Sequence, residues 1–294
     1  MSWLETYRGT VYRWEVDNVD HFTVAYYFAR FEDATMALLH AVGLDPGPLA
    51  DKGQACATVE CRVSYRRELR MGDILHIRSG VISVDDGGLV FGHHVLDSGD
   101  GALCTTVLQR AALVELGSRA PVALTRAQRE AAHALRIEWP DAVEAPAPAA
   151  PADDARFIDT ARDTVKPWEL DVLGQAGFPA YIHRFSAANA HVLAGFGMTP
   201  AYMKEHHCGF STFEFRLRFP GALRAGDPVL VRSGLLHIGN SSMRLLHRMR
   251  NVRTDETVAT LEQAGVHLDL DARRPTPLPP PLRERANAML VVAS

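Results

Sequence analysis

Cysteine is scarce in this 294-residue chain: Cys56, Cys61, Cys104 and Cys208 are the only four, and no two form a CxxC pair. That spacing excludes a disulfide framework or a zinc ribbon and reads as reduced thiols in a cytoplasmic protein. No apolar run approaches the roughly 18 residues of a membrane span. Met1-Ser2-Trp3-Leu4-Glu5 has neither the basic start nor the apolar stretch of a secretory signal. Basic clusters are missing too. With 31 Lys and Arg against 35 Asp and Glu the net charge is −4, which argues against a broad nucleic-acid surface. His206-His207-Cys208 has no further ligands at metal spacing, and Asp85-Asp86-Gly87-Gly88 reads as a hairpin turn, so no metal site is expected. What is present is the balance of a globular protein, 47% hydrophobic and 22% charged, in a chain long enough for two domains.

The strongest signal is an internal repeat. Trp14-Glu15-Val16-Asp17 returns as Trp168-Glu169-Leu170-Asp171, an offset of 168 − 14 = 154 positions. The same offset joins Tyr27 to Tyr181, Arg30-Phe31 to Arg184-Phe185, Gly43 to Gly197, Arg70-Met71-Gly72-Asp73 to Arg224-Ala225-Gly226-Asp227, Arg78-Ser79-Gly80 to Arg232-Ser233-Gly234, and Gln109 to Gln263. A unit of this length is a domain rather than a solenoid repeat. The expected organisation is a first domain over 1–117, a helix and linker over 118–155, a second domain over 156–272, and a proline-rich tail over 273–294. Within the connector, Thr125-Arg126-Ala127-Gln128 reads as a capping box and 142–154 as an alanine- and proline-rich linker. The tail is expected to drape over the surface.

Inside each copy the hydrophobic period changes once. From Val24 to Val42 the apolar residues Val24, Tyr27, Phe28, Phe31, Ala34, Leu38, Leu39 and Val42 form one helical stripe, repeated from Phe178 to Phe196, with Gly43 and Gly197 as natural stops. Then Val59, Cys61, Val63 and Tyr65 alternate with Thr58, Glu60, Arg62 and Ser64, as do Phe213, Phe215, Leu217 and Phe219 with their neighbours. That is the pattern of an antiparallel strand covered on one face. Ile74–Ser83, Leu89–Leu96 and Leu103–Leu113 are further strands. Each copy is therefore predicted to be α+β, one long helix wrapped by an antiparallel sheet of about five strands.

The stretch Asp17-Asn18-Val19-Asp20-His21-Phe22-Thr23-Val24-Ala25-Tyr26-Tyr27 resembles the D-Y-N-G-H-M-N-x-x-Y-Y pattern of acyl-CoA thioesterases in the hotdog superfamily (4-hydroxybenzoyl-CoA thioesterase-like). Asp17, His21 and Tyr27 match. Phe31-Glu32-Asp33-Ala34 resembles the F-[DE]-x-A turn of the same helix, and Tyr65–Asp73 resembles the family's strand connection ending in Gly-Asp. Asp20 stands where the family has Gly and Thr23 where it has Asn; in the second copy Gln175 replaces the His and Gly177 the Asn. The resemblance implies a tandem double hotdog, since a hotdog site forms where two copies meet, acting on a small-molecule acyl thioester. Coenzyme A would enter only as part of the substrate, and no cofactor is implied.

The chemistry this implies sits at the mouth of the helix. Its first N–H groups lack intrahelical acceptors and can hold a developing oxyanion, while a nearby carboxylate attacks the carbonyl or deprotonates water. Asp17 is the residue the resemblance puts in that role, with His21, Glu32 and Asp171 as further catalytic candidates. Thr23 and Tyr27 are candidates to line the substrate site, and Arg66, Arg67 and Arg70 to hold the phosphates of coenzyme A. Each has an ordinary structural alternative: a capping aspartate, a surface histidine, a solvated helix glutamate, a core tyrosine, a solvated strand end. Two further functions stay open, hydration or dehydration of a thioester-bound acyl chain and acyl-thioester binding without catalysis. Because His21 and Glu32 correspond to Gln175 and Ser186, one working site built around Asp17 is expected, in a protein that needs no membrane and has homodimerisation open to it.

Overall fold

The computed structural model describes residues 3–17, 19–140 and 154–291, so the expected linker lies outside the described residues except for Asp154. The first copy runs β1 (Leu4–Thr10), α1 (Val24–Ala41), α2 (Pro46–Ala50), β2 (Gln54–Tyr65), β3 (Ile74–Val84), β4 (Gly88–Asp97), β5 (Leu103–Glu115) and α3 (Arg126–Ala134). The second runs β6 (Ile158–Thr164), α4 (Phe178–Gly195), α5 (Pro200–Glu205), β7 (Cys208–Arg218), β8 (Pro228–Ile238), β9 (Ser242–Asn251), β10 (Thr257–Asp269), β11 (Arg274–Pro275) and α6 (Pro280–Ala288). Every first-copy element starts 154 positions before its counterpart, as with Val24 and Phe178 or Arg126 and Pro280. The chain clusters into two compact units, Met1–Ala145 with Leu170–Pro179, and Pro146–Glu169 with Ala180–Ser294.

In the first copy the antiparallel strand order is β1-β3-β4-β5-β2; in the second it is β6-β8-β9-β10-β7, with β11 added on β10. The helical stripe explains what the sheet wraps: Ala25, Phe28, Phe31, Ala34, Leu38 and Leu39 of α1 are all buried. At the end of α1, Leu44 N–H returns to the Leu39 carbonyl at 2.8 Å across Gly43, whose φ of +71° is open to glycine without strain. No helix among the described residues is long and apolar enough to cross a membrane.

Three features differ from the sequence reading. Each copy holds two short helices besides the long one, giving six α-helices among the described residues. The helix α3, predicted as part of a connector, is a repeated element of the domain: α6 lies at its position in the second copy. Leu124 and Ala132 enter the first core as Leu278 and Ala286 enter the second. Within the C-terminal stretch Pro280–Ala288 is therefore helical, because prolines at the start of α6 cost no hydrogen bond where the first turn has no acceptor to offer. Last, Val59 and Phe213 sit at β-bulges, so the apolar alternation changes phase there and Phe213 is 42% exposed.

A buried ion pair recurs in both copies. Arg30 of α1 meets Glu15 at 2.6 Å, and Arg184 of α4 meets Glu169 at 2.9 Å and Asp163 at 2.7 Å. Arg184 is only 4% exposed, so deleting it strands the Glu169 carboxylate, while Asp163 stays half in solvent. Arg184→Ala is expected to lower stability by about 3–5 kcal/mol, read from denaturant melts; a change under about 1 kcal/mol would show the pair to be dispensable.

Candidate active site

Both copies build the same tight turn ahead of the long helix. A bridge between Val16 and Phe22 closes it in the first copy, and one between Leu170 and Ala176 in the second. Inside it Asp17 Oδ1 accepts the Val19 and His21 N–H groups, both at 3.0 Å, while Asp17 N–H returns to the His21 carbonyl at 2.9 Å. Asp171 repeats this with Leu173 at 2.8 Å and Gln175 at 3.0 Å. The turn needs one left-handed residue, Asp20 at φ +63° and Gly174 at +70°. Aspartate is among the few side chains that tolerate this region, which explains why it can stand at a glycine position.

The first-copy candidates then separate. Asp17 is exposed and held by its turn. His21 Nε2 lies 2.6 Å from Glu68 Oε2, an acidic partner outside the turn. Thr23 is the N-cap of α1, its backbone N–H on the Glu15 carbonyl at 2.8 Å. Tyr27 is core: only 4% exposed, it packs against Phe22, Tyr65 and Phe31 at centroid distances of 4.4, 5.3 and 6.0 Å, and burial raises its phenol. Arg66, Arg67 and Arg70 are exposed. Arg67 pairs with Asp100 at 2.6 Å and Arg70 with Glu68 at 2.7 Å, so an incoming phosphate would compete with carboxylates at those two.

Glu32 is placed differently. It projects from α1 towards the turn 170–179, which belongs to the same compact unit. Its Oε1 accepts the N–H of Phe178, the first residue of α4, at 2.7 Å. Gly177 makes the approach possible, since a Cβ there would lie 2.8 Å from Oε1. Phe28 packs edge-on against Phe178 with ring centroids 5.9 Å apart. Burial pushes Glu32 up to about 7; the charges of Asp171 and Asp33 add to this, and the Phe178 N–H opposes it. Asp171 is itself raised, by burial first. Of the four catalytic candidates the structure thus groups Glu32 with Asp171, and neither Asp17 nor His21 is among the groups that shift Glu32. Sequence reasoning has Gly177 only as a motif departure and Phe178 only as the start of a helical stripe, and makes neither a site residue. The available signal was Gly177 itself, a side chain removed where the motif carries Asn.

This geometry has a stability consequence. An acid raised in the fold penalises the folded state once ionised, so the cost is absent below about pH 4.5, grows as pH rises, and is complete above about 7. Glu32→Gln keeps the acceptor for Phe178 and removes the charge. It is expected to stabilise the protein by about 1–3 kcal/mol at pH 8 and by almost nothing at pH 4. Chemical melts of both proteins at the two pH values check this, and equal melts at pH 8 would refute it.

A helix enclosed by a five-stranded antiparallel sheet, built twice, is the tandem hotdog arrangement. A model of the thioesterase-like superfamily matches residues 11–146 and 165–286, and the chain belongs to that superfamily. A search of curated proteins finds no match. Among solved structures, a protein designated an oleoyl thioesterase from Lactobacillus plantarum superposes with a TM-score of 0.71 at 12% identity, covering 89% of this chain and 95% of that one. An acyl-ACP thioesterase from Bacteroides thetaiotaomicron gives 0.67 at 14%, covering 88% and 96%. The 12:0-ACP thioesterase of Umbellularia californica gives 0.68 at 12%, covering 89% and 93%. At these identities the likeness is one of fold.

Proposed function

We propose that the protein hydrolyses an acyl thioester, of coenzyme A or of an acyl carrier, with Glu32 as general base. The observation that carries this reading is the Glu32 carboxylate resting on the Phe178 N–H at the start of α4. When a thioester enters, its carbonyl oxygen takes that N–H, where the helix N-terminus favours developing negative charge. Glu32 then loses the one contact that favours its ionised form and becomes a stronger base. It removes a proton from water, the water oxygen bonds to the carbonyl carbon, and the C–S bond breaks as the tetrahedral intermediate collapses. The departing thiolate takes the proton back from Glu32, leaving a carboxylic acid and a free thiol. Asp171 supports the step in two ways: it shapes the turn that presents Gly177 and Phe178, and its charge helps keep Glu32 basic.

This moves the base from Asp17, where the motif would put it, to Glu32. Asp17 Oδ1 is committed to two backbone N–H groups that close its turn. Hydration or dehydration would call on a paired Asp and His, whereas Asp17 is held by its turn and His21 by Glu68.

Release of free thiol from a panel of acyl-CoA and acyl-carrier thioesters, followed with a thiol reagent, tests the reading. Glu32→Gln is expected to lower kcat by about 10²–10⁴-fold, while Asp17→Asn, which keeps its turn oxygen, loses under about tenfold. The reverse ranking would return the base to Asp17, and no release from any thioester would sink hydrolysis.

The pH profile is a separate check. The base works deprotonated, so kcat/KM is expected to rise with pH through about 7 and then level. In Asp171→Asn the same rise should move to lower pH, because a negative charge that held the proton on Glu32 is gone. A profile flat between pH 5 and 8 would count against Glu32.

A further inference from the structure

Six polar side chains thread the apolar interior of the first copy. Thr58 Oγ1 donates to Gln109 Oε1 at 3.0 Å, and Gln109 Nε2 donates to Thr35 Oγ1 at 3.1 Å. Thr35 Oγ1 lies 3.2 Å from His93 Nε2, and His93 Nδ1 lies 2.5 Å from Ser79 Oγ. Ser79 Oγ is 2.6 Å from Thr6 Oγ1, whose hydroxyl donates to the Ile77 carbonyl at 3.3 Å. Running the protons one way, from Thr58 to Ile77, gives every link one donor and one acceptor, with the His93 proton on Nδ1. Ser79, His93 and Gln109 are completely buried, and burial holds His93 down to about 3, so its ring is neutral, with one nitrogen donating and the other accepting.

Sheet strands supply all of these groups except one. Thr35 belongs to α1, one turn after Glu32 on an adjoining line of the helix surface. The second copy repeats most of the chain: Thr160 to Ser233 at 2.7 Å, Ser233 to His247 at 2.6 Å, and Gln263 to Thr212 at 2.7 Å. At the place of Thr35, however, stands Asn189, whose buried Oδ1 has no hydrogen-bond partner among the described residues. At the place of Glu32 stands Ser186. The network closes onto the long helix in the copy whose helix carries the carboxylate.

We infer that Thr35 is a positioning residue for Glu32: tied to His93 and Gln109, it fixes the rotation and depth of α1 so that the carboxylate meets the Phe178 N–H. Apolar packing resists separation of helix and sheet but is not directional, whereas two hydrogen bonds in a buried site set an angle. This inference rests on Glu32 being the base.

Three full-length variants test it. Thr35→Val keeps the shape and removes both bonds, Thr35→Ser keeps the hydroxyl, and Thr35→Asn installs the residue that the second copy already folds with. Val and Asn are expected to lower kcat tenfold or more with KM changed less than about twofold, and Ser to recover most of kcat. In 15N–1H spectra the Phe178 amide should move in Val and Asn in the direction it moves in Glu32→Gln, and stay near wild type in Ser. Wild-type kcat in Val and Asn, a Ser variant no better than Val, or an unmoved Phe178 amide would overturn the inference. Should the wild-type protein hydrolyse no acyl thioester, the functional reading fails while the amide shifts still decide this one.

Discussion

A half-buried carboxylate given one backbone N–H is the constraint around which the proposed site is arranged. Glu32 ionises at a cost that its surroundings do little to offset: one hydrogen bond from Phe178 opposes burial and two neighbouring acids. A group in that position lowers the stability of the fold and keeps its proton affinity near neutral pH, which is what a general base requires. The elements nearby serve that placement. The turn held by Asp171 brings a glycine and a helix start to the carboxylate, and Phe28 packs edge-on against Phe178.

The duplication supplies the two halves of this arrangement from non-equivalent places. The first copy contributes the helix residue, Glu32, and the second contributes the turn and helix start, Asp171 to Phe178. The counterparts do not reproduce the set, because Ser186 has no carboxylate to offer. Both copies nevertheless retain the aspartate turn and the arginine–glutamate pair. Those devices fix how the chain enters its long helix, and that geometry is needed in each copy whether or not chemistry follows.

Much of the fold was legible because it rests on periodicity. The apolar stripe from Val24 and the strands after it follow from local spacing, and the 154-residue offset carried the same reading to the second copy. The short helices were not legible in the same way. In α6 the prolines obscured a helix whose burial depends on Leu278, Leu282 and Ala286 meeting a distant core. Val59 and Phe213 misled because a bulge is decided by the partner strand, not by the strand's own alternation. For the site, the motif brought attention to Asp17 and Asp171 together, since their turns are alike in sequence. It could not say that Glu32, marked only by its F-[DE]-x-A context in the helix, would lie against residue 178.

Asp20 for Gly leaves the turn closed, because aspartate tolerates the left-handed region that glycine takes in the second copy. Gly177 for Asn is a different case. Any side chain there would meet Glu32 Oε1 before Phe178 N–H could, so the substitution that breaks the motif in the second copy is the one that admits the first copy's carboxylate. A motif scored copy by copy records two incomplete sites. Taken across the repeat, the loss at 177 and the acid at 32 are complementary parts of the one site we propose.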